Sequence, residues 1–429
     1  MTSCTARPGL PIRVLAVALA GALAGASAPA GAEVPAEAEF LGKVETLPAP
    51  RPHWAWSTDP VLERAALVDL ESGDLLGVVD GGWGVTVPVF AADGGEIYLP
   101  ETHYSRGSRG DRTDVVTFYD SRSLAPTGEV VLPPKRAISA VPAAHAALGD
   151  EGRFLAVYNM TPATSVSIVD VRERRFAGEI PTPGCSLVYP AGPRRFLMLC
   201  MDGSALAVEL DERGAPAALR RSAPFFDPRV DPVTEKAARM GDTWLFASFE
   251  GQLHAVDVSG PELRFEAPWS LLSDADRAGS WRVGGSQHLA VHERSGRLYS
   301  LVHQGGVDSH KQPGTEVWVY DLETRERIQR VELRNPGFTY LGVSMEFGRD
   351  WIWPFNHLYD GLLALANLGV DSISVTGDEE PLLLTSSIFT GALATYDALS
   401  GDFRRRVVVG NMTNIAIRTP YGHPRLESP

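Results

Sequence analysis

Cys185 and Cys200 bracket the segment CSLVYPAGPRRFLMLC, in which Ser186–Tyr189 and Phe196–Leu199 are apolar and Ala191-Gly192-Pro193 signals a turn. A hairpin folded at that turn sets the two cysteines opposite each other, at a separation a disulfide can span. Export to an oxidising compartment makes the bond the expected state, with two free buried thiols as the alternative. Two cysteines without a neighbouring histidine do not complete a tetrahedral metal shell. His288 and His292 are four residues apart and on a helix would share one face. Their surroundings, Gln287–His292 and then Glu293-Arg294-Ser295-Gly296, read instead as strand and turn. There the same spacing holds them ~13 Å apart, too far for one ion. No nucleophile elbow, phosphate loop, H-E-x-x-H, EF-hand or C-x-x-C-H pattern occurs. Asn159 and Asn411 open glycosylation triplets, a pattern short enough to arise by chance.

The segments that would carry these residues follow a leader. Arg7 and Arg13 precede an apolar run, Val14–Leu23, and Ala30-Gly31-Ala32 offers small residues for cleavage. This pattern predicts a secretory signal peptide over residues 1–32 and export of the remainder, an N-terminal membrane anchor being the alternative. Cleavage removes Cys4, two arginines and no acid. The whole chain has 429 residues and a net charge of −14, which argues against nucleic acid and anionic membrane surfaces as partners. Its 42 glycines and 32 prolines disfavour a mostly helical fold.

From residue 33 onward the chain repeats. Seven times an alternating apolar strand ends in an acid, turns, and continues into a second strand. The acids are Asp69, Asp120, Asp170, Glu209, Asp257, Asp321 and Asp397, between 39 and 76 residues apart. With about four strands per unit, this predicts an all-β, seven-bladed β-propeller over residues 33–429. The first unit lacks a strand upstream, and Asn414–Arg418 near the C-terminus can supply it and close the ring. The acids themselves fit a structural role, accepting hydrogen bonds from the turn that follows. Residues 346–371, with helix-compatible spacing over Asp360–Leu368, read as an insertion between blades or as a partner-binding element.

Particular strings narrow this further. Thr46–Trp56 (TLPAPRPHWAW), Ser105–Asp120 (SRGSRGDRTDVVTFYD), Leu132–Arg136 (LPPKR), Tyr158–Asp170, Phe176–Pro190, Trp281–Gly285 (WRVGG) with His310-Lys311, and Ser374–Leu384 (SVTGDEEPLLL) run over most of the chain. In these the sequence resembles the heavy subunit of quinoprotein amine dehydrogenases, the methylamine and aromatic amine dehydrogenases. In the first half the likeness is greater to the aromatic amine type.

The resemblance implies a seven-bladed heavy chain without a cofactor of its own, in a periplasmic heterotetramer of two heavy and two light subunits. The light subunit would carry tryptophan tryptophylquinone. The complex would oxidise a primary amine to aldehyde and ammonia and pass electrons to a blue copper protein of the amicyanin or azurin kind. No residue of this chain is then expected to be catalytic, to bind the cofactor or to ligate a metal. The family's aromatic residue lining the substrate channel falls, by its position after Asp80-Gly81-Gly82, on Trp83. Ordinary blade packing is the other reading of Trp83. Ser286, where an aromatic is more usual, and the 346–371 segment depart from the family pattern. The rival from another class is a non-catalytic exported propeller acting as a binding or scaffold subunit.

Overall fold

The computed structural model describes residues 45–85, 87–138, 143–334, 338–340, 343–345, 369–388, 391–411 and 413–423. Seven antiparallel sheets of four or five strands follow one another along the chain, together with a small hairpin of Phe338–Tyr340 and Val343–Met345. In blade 2, for example, the order from the axis outward is Val89–Phe90, Glu96–Tyr104, Arg112–Asp120 and Pro126–Leu132. The chain is a seven-bladed β-propeller.

The ring closes as the missing strand requires. Ala416–Arg418 is the innermost strand of blade 1 and pairs antiparallel with Trp56–Thr58, while the other three strands of that blade come from the start of the fold. Side chains secure the joint. Ser57 Oγ donates to Asn414 Oδ1 at 2.6 Å, and Trp56 Nε1 donates to the Tyr421 hydroxyl at 3.2 Å. Gln287 donates to the carbonyl of Ile417, and its own side-chain oxygen accepts from the Ile417 amide.

The apolar core lies mainly between neighbouring blades. Trp54, Trp56, Leu67 and Val79 of blade 1 pack with Ile97 and Leu99 of blade 2. Ala66, Val68 and Leu70, on the other face, pack with Leu384 and Leu393 of blade 7. This is the expected outcome of strands whose side chains alternate between two covered faces.

The recurring acid has a structural role at most of its positions. Asp69 Oδ1 accepts from the amides of Glu71 and Ser72; Asp120, Asp321 and Asp397 accept from the two equivalent amides of their own turns. Just before the acid the pairing with the outermost strand slips by one residue, at Leu67/Val68, Phe118/Tyr119, Ile168/Val169, Val319/Tyr320 and Thr395/Tyr396. Blade 4 corrects the sequence reading. There the slip falls at Glu209/Leu210, and Asp211, not Glu209, accepts from the turn amides of Arg213 and Ala215. Glu209 is paired with Arg220 instead.

Cys185 and Cys200 are register partners in the first hairpin of blade 4, and their sulfurs are bonded, with the Cα atoms 3.9 Å apart. A bulge between Ser186 and Tyr189 shifts the register beyond them, with Leu187 at φ 63°. Asn159 and Asn411 are both buried and use their amides inside the fold, toward Ser165 and Ser167 and toward Asn414, so neither presents an acceptor for a glycan. Most of the 346–371 segment, including Asp360–Leu368, lies outside the described residues.

At the end opposite the site described below, His53 joins blade 1 to blade 7. Its Nδ1 is 2.8 Å from Glu71 Oε1 and its Nε2 3.0 Å from Asp378 Oδ2. Burial works against a charge on His53, but the hydrogen bond to Glu71 and the charge of Asp378 outweigh it and raise its pKa. Burial likewise opposes the Asp378 charge, and bonding to Thr376 and the charge of His53 lower its pKa overall.

Two outcomes are expected. A chain beginning at residue 33, denatured and unreduced, should titrate no free thiol, and replacing both of its cysteines by serine should cost about 3 kcal/mol on the loop-entropy model. Two titrating thiols would contradict the bond. For His53, the stabilisation is fully present below its ordinary value of 6.5 and is lost as pH rises through its raised folded value. The Asp378 contribution is present above 3.8 and is lost as pH falls through its lowered folded value. The stability difference between wild type and His53→Gln should therefore peak between these limits and shrink in alkali. Denaturant melts across about pH 5 to 9 test this, and a flat difference would contradict it.

Candidate functional site

In each antiparallel blade, the second-to-third-strand loop and the connection to the next blade emerge at one end of the ring. Trp83 lies at that end, in the connection from Leu75–Asp80 of blade 1 to Val89–Phe90 of blade 2. The connection is pinned by backbone bonds, Gly81 N to Glu63 O and Trp83 N to Thr102 O, both 2.6 Å. A Cβ at Gly82 would stand 2.3 Å from the Thr102 carbonyl oxygen, so this close approach requires glycine. The indole is 41% exposed and meets Tyr104 edge-on at 6.5 Å. Trp83 is therefore a solvent-facing aromatic on a fixed loop and not part of a blade core.

A buried polar network lies beneath this loop. Arg112 grips both oxygens of Asp114 at 2.8 Å, and Asp114 also accepts from Thr102 Oγ1 and from the amide of Arg136. Arg136 is buried. Its Nε donates to Thr102 Oγ1 and its Nη1 to the carbonyl of Val85, in the same connection as Trp83. Burial pushes the Arg136 guanidinium down to about 10, against the nearby charge of Asp114. Glu101 accepts from Thr117 at 2.5 Å and stands 3.2 Å from His103 Nε2. Burial raises its pKa, with both contacts opposing. Together these groups supply a rigid floor for an exposed aromatic, which suits a site that sorts molecules by shape.

Residues from all seven blades line an axial cavity of about 450 Å³ that is open to solvent. Ser286 is on its wall and donates its amide to Asp371 O at 2.6 Å. Burial raises the Asp371 carboxyl to about 6. His288 and His292 have separate partners: His288 bonds Thr234, and His292 bonds Ser295 and the Asp378 carbonyl.

Sequence reasoning singled out Trp83 and the two cysteines and assigned no role to Gly82, Tyr104 or Arg136. Arg112 and Asp114, two apart on one strand, were a usable signal for a same-face ion pair. Nothing in the sequence links them to Arg136.

A model of the methylamine dehydrogenase heavy chain family matches residues 57–342. The chain is 29% identical over 366 residues to the methylamine dehydrogenase heavy chain of Paracoccus versutus, covering 84% of this chain and 78% of that one. To the methylamine dehydrogenase heavy chain of Methylorubrum extorquens it is 28% identical over 283 residues, covering 65% and 68%. Among solved structures it is similar to a functionally unknown protein from Desulfotomaculum acetoxidans, with a TM-score of 0.54 at 12% identity over 85% of this chain and 98% of that one. A dihydro-heme d1 dehydrogenase gives 0.50 at 16%, over 89% and 78%. Likeness at these identities is one of fold. The family match runs from the first blade past the sixth, and the chain belongs to the methylamine dehydrogenase heavy chain family.

Proposed function

We propose that this chain is the heavy subunit of a periplasmic amine dehydrogenase, assembled with a light subunit as a heterotetramer, which oxidises a primary amine to aldehyde and ammonia. The observation that carries the reading is the family match over residues 57–342. Tryptophan tryptophylquinone in the light subunit would accept the electrons from the amine, and a blue copper protein of the amicyanin or azurin kind would take them onward.

The light subunit would dock on the loop end that bears Trp83. Large apolar side chains stand exposed in the loops there: Val61, Trp83, Met160, Met201, Val230 and Val307, with Met201 at 80% and Val230 at 76%. Exposed apolar groups gathered on one face mark an interaction surface. Within that interface the work of this chain is steric. The Gly81 and Trp83 amide bonds fix the loop, the Arg112–Asp114–Arg136 network keeps its floor from yielding, and the Trp83 ring limits which amine can pass.

Trp83→Ala in the heavy–light complex should shift the ratio of kcat/KM between small and bulky amines by about 1–3 kcal/mol. The cofactor spectrum should stay unchanged. Because the ring is partly exposed, the loss of stability should fall well short of the roughly 3–5 kcal/mol of a fully buried tryptophan. An amine panel and a thermal melt on the same variant check both, and an unchanged ranking would refute the channel role. The purified chain alone should give no amine-dependent dye reduction; reduction without a light subunit would refute the division of labour.

A further inference from the structure

Lysine is scarce in this chain: Lys43, Lys135, Lys236 and Lys311 are the only four among 39 basic residues. Lys43 lies outside the described residues. Lys135 is held by both oxygens of Glu179 at 2.9 Å. Lys311 is exposed. Lys236 differs from both described neighbours in kind. It lies just before the innermost strand of blade 5, Ala238–Met240, and lines the axial cavity. Its amine donates to the Gly285 carbonyl at 2.7 Å, and no carboxylate among the described residues comes within 4.0 Å of it.

The surroundings disfavour the ammonium. Burial lowers the Lys236 pKa; the adjacent Glu235 opposes this and Lys311 adds to it. His288 and His310 are the other titratable groups near it. Burial is the main cause lowering both, and the charge of Lys236 contributes in each case. His310 is itself stacked on Phe249 at 3.6 Å. An amine with a carbonyl oxygen for its partner, withdrawn from bulk water and facing a cavity, is the form of lysine that condenses with carbonyl compounds. The cavity of about 450 Å³, walled in part by Val89, Phe90, Leu289 and Ile417, has room for a small aldehyde.

We propose that Lys236 is a carbonyl-capture site, binding small aldehydes in the axial cavity as a reversible imine. The nitrogen adds to the aldehyde carbon to give a carbinolamine. The carbon–oxygen bond then breaks, the oxygen leaves as water with the two amine protons, and a carbon–nitrogen double bond remains. No electrons are transferred, and water reverses the reaction. The inference rests on the proposed amine oxidation only for the natural source of the aldehyde.

The test supplies the aldehyde and needs no light subunit, so its outcome is independent of whether the chain takes part in amine oxidation. The mature chain is treated at pH 7 with limiting isotopically labelled formaldehyde and cyanoborohydride, which reduces the imine to a stable methylamine, and the lysines are mapped by peptide mass spectrometry. Lys236 should be labelled ahead of both Lys311 and Lys135. In Lys236→Arg, which keeps a donor for Gly285 but forms no stable imine, that label should vanish while labelling of Lys311 is unchanged. Labelling of the exposed Lys311 ahead of Lys236, or an unlabelled Lys236, would overturn the proposal.

Discussion

Closure of the ring is the constraint on which the rest of the molecule depends. The three residues Ala416–Arg418 complete a sheet whose other strands lie near the start of the fold, and so join two ends of the sequence through backbone hydrogen bonds. Because the core lies between blades, each sheet needs a neighbour on both faces. Without the closing strand, the apolar faces that blades 1 and 7 share would lose their alignment, and Ala55, Ala66 and Leu393, all fully buried, would face water. The anchoring by Asn414, Tyr421 and Gln287 is placed at this joint, where the chain has no covalent continuity to enforce the contact.

The loop bearing Trp83 inherits its precision from that frame. It connects the closed blade to the next one, and its carbonyl at Val85 is bonded by Arg136, four strands further along the sequence. A carboxylate as buried as Asp114 is costly unless its oxygens are fully engaged. Here Arg112, Thr102 and the Arg136 amide all bond it. Removing any one would leave a buried charge short of partners, so the network resists rearrangement. The floor of the site is thus fixed by electrostatic necessity while the ring above it stays exposed.

Much of the architecture was legible because it is written locally. An acid ending an alternating strand marks each blade, and the Cys185–Cys200 segment contains its own turn. The missing first strand pointed to Asn414–Arg418 because a propeller has no other way to finish. Glu209 misled because the acid that accepts from the turn is defined by a slip in register, which a string of residues does not display. The partners of Asp114 were hidden for a related reason, since Arg136 reaches it from beyond the end of the next strand. The axial cavity was the least legible feature. Its wall takes residues from every blade, so no local pattern announces Lys236 as lining it.

The one-residue slips near the outer strands have an effect at the rim. Each blade turns its outermost strand outward with one row of peptide groups unpaired, and such a row is a template on which a strand from another molecule can add. A bulge twists the strand and breaks the straight run that templating needs. Prolines begin two of these strands, at Pro126 and Pro216, and arginines crowd the Pro216 strand at Arg220-Arg221 and another at Arg404-Arg405-Arg406. Seven open edges would otherwise make the molecule a nucleus for its own polymerisation. Kinked and charged as they are, the outer edges offer a poor template for a strand from another molecule.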